Sequence, residues 1–393
     1  MGIKYKIGYK LAKNQKLLDS AIKFIGYPKS VTNKARLALS DKELGGKIQS
    51  VNLELSILCN LRCQMCWWWG ENGIGFKLVQ NKDPMVAKQL AKEEVFKIVD
   101  ELAATHRPSF YISGGEPFIR EDTLEVIEYI ASKGLQVTMT DNGTLLNDNY
   151  LERIAKLKML GINFSIDGPR EVHDRIRGKG MYDKTTSTIK KLLEYRGNSS
   201  FPIINSNTTF SPFISGHIDE LIRELQDNVG VDTVLLQHLW FTDKEHAEAH
   251  KKVLHEALGT NEGANVDSHV ISWPSLDYVK SLADEIVKIE HTKYNKPVRI
   301  RPKMKKEEII KYYTDLSYVR VDRCMIAWNK IFIRANGDVM FCPDEWMTDF
   351  KLGNVREHNI NELWNNEKAK LFRRELFKHK LYPGCARCCE INV

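Results

Sequence analysis

The eight cysteines of this 393-residue chain fall into two groups, and the first group has the spacing of a metal centre. Cys59, Cys63 and Cys66 lie in the stretch CNLRCQMC, directly after an apolar run. Three thiolates on one loop suit a four-iron cluster in which one iron keeps an open position, where a ligand can bind. Structural zinc is the alternative, but zinc needs a fourth ligand nearby, and no Cys or His follows before His106.

The remaining cysteines lie close to the C-terminus. Cys324 and Cys342 flank a predicted hairpin, Cys385 and Cys388 form a CxxC pair, and Cys389 is left over. Four thiolates on a small β unit could hold either zinc or an iron–sulfur cluster, and the spacing alone leaves both open. Eight cysteines in a chain of this length are too sparse for a disulfide scaffold, so their pattern indicates metal sites in a reducing cytosol.

A repeating pattern of short β-rich runs and longer helical runs, which starts at Val51, must position these cysteines. The predicted strands cover 51–57, 109–113, 135–140, 162–166, 203–209 and 233–239. The predicted helices between them cover 92–104, 121–133, 148–159, 183–195 and 216–228. This alternation predicts an α/β fold with a parallel sheet, namely a partial (β/α)6 barrel of the TIM type, because eight strands are not visible. We expect its chemistry at the C-terminal ends of the strands.

The pattern divides the chain into four segments. We predict a basic N-terminal segment at 1–48, the barrel at 49–240, a helical connector or insertion at 241–320 and a small α+β unit at 321–393. In the last segment, IFIRANGDVMFC predicts a hairpin with its turn at Asn336-Gly337-Asp338, followed by a helix at about 360–378.

Positive charge is concentrated in the N-terminal segment. The formal net charge is +7, and residues 1–47 hold 11 Lys and Arg against three acidic residues, whereas the rest holds 47 basic and 48 acidic residues. A near-neutral body argues against nucleic-acid binding, which normally needs a basic face on the folded domain. An amphipathic helix is predicted over 14–27, so residues 1–36 could contact an anionic membrane or carrier, or pack on the barrel instead.

The sequence has no signal for secretion or for membrane insertion. It contains no run of 18 apolar residues, and its N-terminus lacks the apolar core of a secretory signal. We therefore expect a cytoplasmic protein, with peripheral membrane association through residues 1–36 as a hypothesis.

Over roughly residues 50–240, the sequence resembles the radical S-adenosylmethionine (radical SAM) superfamily. Besides the three cysteines, the resemblance rests on motifs that follow successive predicted strands in the expected order. These motifs are Ser113-Gly114-Gly115-Glu116-Pro117, Thr140-Asp141-Asn142-Gly143-Thr144-Leu145-Leu146, Ser165-Ile166-Asp167-Gly168-Pro169 and His173-Asp174-Arg175-Ile176-Arg177-Gly178. The second motif carries one residue more than the usual TNGTLL.

The resemblance implies an enzyme that cleaves SAM reductively. Cys59, Cys63 and Cys66 would hold a [4Fe–4S] cluster whose open iron is chelated by the methionyl amine and carboxylate of SAM. An external donor, such as a flavodoxin or a ferredoxin, would supply one electron. The resulting 5′-deoxyadenosyl radical would abstract hydrogen from an unactivated carbon of the substrate, while the protein supplies position and a dry cavity.

The resemblance also implies which residues contact SAM. Met65 would lie against adenine, the backbone of the two glycines would approach the cofactor closely, and Arg177 would pair with the carboxylate. Taken singly, each of these residues could be an ordinary turn residue or a solvated cation. The full predicted set is Met65, Gly114, Gly115, Glu116, Ser165, Asp167, Arg177 and Asn207.

The C-terminal unit resembles the Twitch subdomain, a shortened form of the SPASM extension of radical SAM enzymes. This resemblance implies that Cys324, Cys342, Cys385 and Cys388 hold one auxiliary [4Fe–4S] cluster. Cys389 would be a bystander, a substitute ligand or a catalytic thiol.

Several residues near the predicted barrel mouth have more than one interpretation. The run Trp67-Trp68-Trp69 could stack on a sugar or an acyl chain, or it could pack around the cluster and shield it. His238, at the end of the sixth predicted strand, is a candidate acid–base residue, with packing or SAM contact as alternatives. His246 and His250 stand four residues apart on a predicted helix, which permits metal binding but is also typical of a solvated face.

The substrate is the least defined part of the prediction. One interpretation is a carbohydrate or other non-peptide substrate, which could be lipid-linked and would undergo oxidation, epimerisation or rearrangement. The alternative is peptide or protein modification, although the roughly 50 residues before the barrel show no leader-binding winged-helix pattern. A non-enzymatic iron–sulfur electron-transfer protein is a third interpretation, which the full set of SAM motifs disfavours.

Overall fold

The computed structural model describes residues 42–70, 73–260, 270, 275–342 and 350–388. The predicted N-terminal helix at 14–27, most of the basic segment and Cys389 lie outside the described residues. None of the helices in the described ranges combines the length and the apolar character needed to cross a bilayer.

Within these ranges, one continuous sheet of ten strands forms the centre of the fold. Its strands are β1 (Ser50–Ser56), β2 (Ser109–Gly114), β3 (Val137–Asp141), β4 (Gly161–Ser165), β5 (Ile203–Phe210), β6 (Thr233–His238), β7 (Val298–Arg301), β8 (Lys330–Ile333), β9 (Asp338–Met340) and β10 (Gly353–Asn354). They are ordered β10-β9-β8-β1-β2-β3-β4-β5-β6-β7, so the sheet is open, with β7 and β10 at its edges.

The helices lie between the strands along the chain, as the α/β pattern predicts. They are α1 (Ile74–Gln80), α2 (Pro84–Ala87), α3 (Lys92–Thr105), α4 (Thr123–Ser132), α5 (Asp148–Lys156), α6 (Arg170–Arg177), α7 (Met181–Arg196), α8 (Ile218–Arg223), α9 (Lys244–Leu258), α10 (Leu276–His291), α11 (Lys306–Thr314), α12 (Ile360–Trp364) and α13 (Glu367–His379). Strands β1 to β6 pair in parallel with their neighbours. The predicted partial barrel is therefore confirmed.

The strands have two faces of different chemistry, and this difference creates a polar lumen. In β3, for example, Val137 and Met139 are fully buried against the helices, while Thr138 and Thr140 alternate with them and line a cavity. Successive side chains of a strand point to opposite sides, so one face packs on helices and the other faces the lumen. The apolar face belongs to the main core, whereas the lumen face is available for a ligand.

The sheet extends beyond the six strands that the sequence predicts. The connector at 241–320 contributes β7, which pairs in parallel with β6. The C-terminal unit contributes β8, which pairs in parallel with β1, with Ser50 opposite Lys330 and Leu53 opposite Ile333. The sheet thus crosses both predicted segment boundaries, and the division into segments remains a prediction.

The C-terminal unit contains the predicted hairpin. Strands β8 and β9 pair antiparallel, and Arg334 N donates to Asp338 O at 2.9 Å across the turn. Gly337 has a φ of +90°, a conformation that favours glycine. The helix predicted at 360–378 is split into α12 and α13, because Asn366 accepts from Ala369 N and caps a new helix.

Candidate active site

The loop after β1 gathers the first three cysteines, and its own backbone donates to their sulfurs. Cys59 Sγ accepts from Leu61 N at 3.4 Å, and Cys66 Sγ accepts from Trp69 N at 3.2 Å. Burial raises the pKa of Cys59 to about 12 and that of Cys63 to about 11. Thiolates at such buried positions need strong positive charge beside them, and an iron–sulfur cluster supplies it. The donor set therefore fits the predicted cluster.

The tryptophans after Cys66 brace this loop. Trp68 Nε1 donates to Ile57 O at 2.9 Å in a buried position, and Trp69 packs edge-on against Phe76. Trp68 and Trp69 belong to a small apolar cluster that also contains Ile74. This packing favours shielding of the cluster over substrate stacking for these two rings, whereas Trp67 stays half-buried.

Gly114 and Gly115 let two backbone segments approach each other beneath the cysteine loop. Gly115 N donates to Ser56 O at 2.8 Å. A Cβ atom on Gly114 would lie 2.3 Å from Ser56 O, and one on Gly115 would lie 2.1 Å from Leu58 O. Any larger residue would push the cysteine loop away. The resemblance implies that these two glycines let the backbone approach SAM closely. In the structure, the segment that their backbone approaches is the cluster-binding loop.

Glu116 is buried and braces the loop after β3. Its carboxylate accepts from Phe118 N at 3.2 Å and from Asn142 N at 2.9 Å. It also faces Asp141, and burial together with the charge of Asp141 raises the pKa of Glu116 well above its usual range. Burial likewise raises the pKa of Asp141 to about 6. Burial thus favours the protonated form of both carboxyls, and contact of Glu116 with SAM stays a prediction.

Asp167 and Arg177 form a buried ion pair beside the first cluster site. Arg177 Nε lies 2.5 Å from Asp167 Oδ2, and Arg177 Nη1 lies 3.7 Å from Cys63 Sγ. Burial opposes the charge of Arg177, but Asp167 and Cys63 outweigh it and raise the pKa of the guanidinium. The pair thus places a fixed cation against a cluster thiolate, while the predicted contacts of both residues with SAM remain predictions.

The other predicted SAM contacts lie at the C-terminal edge of the sheet or on the cysteine loop. Ser165 and Asn207 are direct neighbours across β4 and β5, and Met65 is half-buried between Cys63 and Cys66. The structure thus brings the predicted residues of β4 and β5 to one edge. Their roles toward SAM are not tested by this arrangement.

A cavity of about 630 Å³ occupies the lumen. Polar side chains from successive strands form much of its wall: Tyr111, Thr138, Thr140, Asn163, Asn207 and Gln237. The same cavity is bordered by Cys388, so it extends from the predicted SAM edge to the C-terminal cysteines.

The second cysteine group gathers around Tyr382. Burial raises the pKa of the Tyr382 hydroxyl, and the nearby thiols of Cys385, Cys342 and Cys324 raise it further. Cys388 follows on the same 3₁₀ turn, where its N–H donates to Cys385 O at 3.1 Å. Within the described ranges, no set of three His, Cys, Asp or Glu side chains is gathered closely enough to hold a single metal ion.

Arg387, between the two cysteines of the CxxC pair, was missed by the sequence analysis. Its buried guanidinium donates to the carbonyls of Tyr312 at 2.5 Å, Asp315 at 2.6 Å and Tyr318 at 2.7 Å. These carbonyls belong to the end of α11 and the turn after it, where a cation is favoured by the helix dipole. Arg387 therefore fastens the CxxC pair to the connector.

His250 and His238 are both buried, and each forms a hydrogen bond to a neighbouring element. His250 Nδ1 accepts from Gly384 N at 3.1 Å, next to Cys385, while His246 pairs instead with Asp243. A metal shared by His246 and His250 is thus not supported.

His238 hydrogen-bonds Tyr313 through Nδ1 at 2.7 Å, and burial lowers its pKa to about 3. A ring that is neutral at pH 7 has no imidazolium proton to donate but can still accept one, so the acid–base role of His238 stays a prediction.

Comparison with protein families matches the two halves of this site. The family model of the radical SAM superfamily matches residues 53–228, and that of the SPASM iron–sulfur cluster-binding domain matches residues 324–389. The chain belongs to the radical SAM superfamily. It is a SAM-dependent enzyme with a [4Fe–4S] cluster and a C-terminal SPASM domain for auxiliary iron–sulfur binding, and it needs an electron donor and a substrate.

Curated relatives and solved structures agree with this assignment. The AdoMet-dependent heme synthase of Methanosarcina barkeri is 26% identical over 349 residues, which cover 85% of this chain and 86% of the relative. The Fe-coproporphyrin III synthase of the same organism is 23% identical over 348 residues, covering 85% and 79%. Streptococcus suis SuiB bound to precursor peptide SuiA has a TM-score of 0.58 at 14% identity, covering 87% of this chain and 70% of SuiB, which shows a shared fold.

Proposed function

We propose that this radical SAM enzyme abstracts a hydrogen atom from an unactivated carbon of a small, non-peptide substrate bound in the lumen. When bound, the cluster and SAM supply the 5′-deoxyadenosyl radical. The residues of this chain hold the substrate, orient it toward the C-terminal edge of the sheet and exclude water.

The lumen cavity is the observation that carries this proposal. Its volume of about 630 Å³ lies within the range of roughly 300–1,000 Å³ that is typical of small-molecule sites. It is bordered by Asn207, at the predicted SAM edge, and by Cys388, at the auxiliary site. A substrate in this cavity would therefore lie between the two cofactor sites.

The cavity wall supports a substrate with several hydrogen-bonding groups. Thr140 and Asn163 are register neighbours on β3 and β4. On the next strand, the side-chain amide of Asn205 donates to Asn163 Oδ1 at 3.0 Å. Gln237 pairs in register with Arg301 on β7. Fixed donors and acceptors on rigid strands orient a ligand more accurately than loop residues do.

The relatives that span most of the chain also favour a non-peptide substrate. Two of them, each matched over 85% of this chain, are named for haem-type products. The neighbour that was solved with a peptide is alike in fold alone, at 14% identity. A cofactor-sized metabolite is therefore favoured within the non-peptide class, and a carbohydrate or a lipid-linked substrate remains a narrower prediction.

Deuterium transfer from extracts tests this proposal. The anaerobically reconstituted, reduced holoenzyme is incubated with SAM and with the small-molecule fraction of bacteria grown in deuterated medium. We expect 5′-deoxyadenosine one mass unit heavier than in the unlabelled control, because abstracted deuterium is carried by the product.

Matched treatments of the same extract separate the substrate classes. Digestion with a broad protease leaves the transfer unchanged if the substrate is non-peptide, and extraction into butanol removes the transfer if the substrate is lipid-linked. Loss of transfer after protease digestion would establish the peptide alternative and overturn the proposal.

A further inference from the structure

A second cleft, separate from the lumen cavity, opens to solvent between the cysteine loop and α6. It has a volume of about 400 Å³ and shares no lining residue with the lumen cavity. One wall comes from the cysteine loop, and the other comes from residues 175–178, at the end of α6. Arg62, Gln64 and Arg175 are exposed along these walls. Another molecule can therefore reach the cysteine loop from solvent at this cleft.

A thin layer of protein separates this cleft from the thiols of the first cluster site. Arg177 lines the cleft, and its Nη1 lies 3.7 Å from Cys63 Sγ. Cys63 stands in the chain between Arg62 and Gln64, which both line the cleft. Gln64 N donates to Ile176 O at 2.9 Å, so a hydrogen bond joins the two walls directly. A redox group seated on the cleft would thus lie close to the cluster.

The two walls of the cleft carry an excess of positive charge. Residues 59–66 and 170–180 together hold five Lys and Arg against two acidic residues, although the chain after position 47 is nearly neutral. No Asp or Glu lines the cleft in the part of the chain that the structure describes. The carboxylate of Asp174, beside Arg175, accepts from Gly180 N at 2.7 Å and so engages the backbone of the next turn. The surface therefore favours an acidic partner.

Packing on aromatic rings holds the two exposed arginines in place. The guanidinium of Arg62 lies 3.3 Å from the ring centroid of Phe76, and that of Arg175 lies 4.8 Å from the ring centroid of Phe213. A stacked guanidinium keeps its charge and loses little further side-chain freedom when a partner binds. Arg62 and Arg175 thus present a preorganised pair of positive charges at the cleft.

We propose that this cleft is the docking surface for the electron donor, a small acidic carrier protein of the flavodoxin type, and that Arg62 and Arg175 contact its carboxylates. A radical SAM enzyme needs such a donor. One electron passes from the reduced carrier to the cluster, so the carrier is oxidised by one electron and the cluster is reduced by one. No covalent bond forms or breaks at this surface. The inference goes beyond the proposed function, because it does not depend on the substrate.

Binding of a recombinant, FMN-loaded flavodoxin to the reconstituted holoenzyme tests the inference. The dissociation constant is measured anaerobically, at low and at high salt, by fluorescence anisotropy of labelled flavodoxin. At low salt, we expect Arg62→Glu with Arg175→Glu to weaken binding at least about tenfold, because two attractions become repulsions. At high salt, the difference between variant and wild type should shrink, since salt screens exposed charges.

The same variant separates docking from the chemistry of the site, because neither arginine is among the predicted SAM contacts. With flavodoxin as donor, half-maximal formation of 5′-deoxyadenosine should need at least about tenfold more flavodoxin than in wild type. With dithionite, a small reductant that needs no docking surface, the rate and the SAM concentration for half-maximal rate should match wild type. Bound iron should stay at about eight atoms per chain.

Lys47→Glu with Lys158→Glu is the matched control for the change in net charge. Both lysines are exposed, and they precede β1 and β4 in the chain. They therefore lie at the edge of the sheet opposite to the cysteine loop, which follows β1. This variant should bind flavodoxin as wild type does.

Four results would overturn the inference. Flavodoxin that does not bind the wild-type holoenzyme would refute a donor of this type, and unchanged binding by the arginine variant would refute this surface. Equal weakening in the lysine control would show that net charge acts, rather than the cleft. Slower SAM cleavage with dithionite would assign the two arginines to SAM or cluster binding instead of docking. None of these results changes the test of the proposed substrate class.

Discussion

Replacement of Arg387 by methionine should detach the auxiliary cysteine pair from the connector. The guanidinium donates to three carbonyls at 2.5–2.7 Å, at the end of α11 and in the following turn, and to Ala386 O at 3.1 Å. Methionine fills similar volume but donates nothing, so these buried carbonyls would lose their partner. Cys388 follows Arg387 directly and Cys385 lies two residues before it, so both would lose their fixed position.

The size of the effect follows from the number and type of these bonds. Hydrogen bonds from a charged group each contribute about 1.5–3 kcal/mol. Burial lowers the pKa of Arg387, which shows that desolvation of the cation offsets part of this gain. Removal of one partner from a buried charged network costs about 3–5 kcal/mol, and we expect the lower end of this range. Each 1.4 kcal/mol changes the equilibrium constant for local opening of this segment tenfold. The rate of amide hydrogen exchange should therefore rise about a hundredfold.

Two measurements on the same preparation check this prediction. Hydrogen exchange of the amides in 383–388 and at the end of α11 should accelerate, and bound iron should fall from about eight to about four atoms per chain, as expected for loss of one four-iron cluster. Arg374→Met is the matched control, because Arg374 is half exposed and, among the described residues, forms one ion pair, with Glu43 at 3.3 Å. Wild-type exchange together with about eight irons in Arg387→Met would refute the reasoning.

Two further predictions concern the first cluster site. Asp141 has a pKa raised to about 6, so its contribution to stability is fully present below about pH 4 and is lost as the pH rises through 6. Asp141→Asn should therefore gain about 1.4 kcal/mol relative to wild type between pH 5 and 8, measured by denaturant unfolding at each pH. A constant difference across this range would contradict a raised pKa for Asp141. Gly115→Ala places a Cβ 2.1 Å from Leu58 O. We expect it to lose about four irons and SAM cleavage together, whereas retention of both would show that the loop can move without cost.

Local sequence patterns were sufficient to predict the six barrel strands, but not strands β7 and β8, which extend the sheet on either side. Strands β1 to β6 could be predicted because their apolar residues alternate or run continuously between clear helical patterns. Strand β7 was missed because VRIR is only four residues long and half of them are charged. The parallel pairing of β8 with β1 joins residues about 280 positions apart, and no local pattern reports such a contact.

In the candidate site, too, features set by nearby residues could be predicted, whereas features that depend on contacts between distant residues could not. The seven described cysteines were identifiable from spacing and motif order, because ligands of one cluster lie on short loops. The role of His238 depended on its surroundings, where Phe210, Tyr312 and Tyr313 pack around the ring. Those surroundings arise only after α11 packs on β6. Arg387 offered a signal, a lone cation inside a CxxC pair, but its carbonyl partners lie about 70 residues earlier.

Reductive SAM cleavage by matched cysteine variants tests the central claim most directly. Reconstituted wild-type protein should bind about eight irons and form 5′-deoxyadenosine under a strong reductant. A variant with Cys59→Ala, Cys63→Ala and Cys66→Ala should keep about four irons and form none. Formation of 5′-deoxyadenosine by the triple variant, or its absence from fully loaded wild-type protein, would contradict the assignment of the first cysteine loop as the SAM-cleaving site.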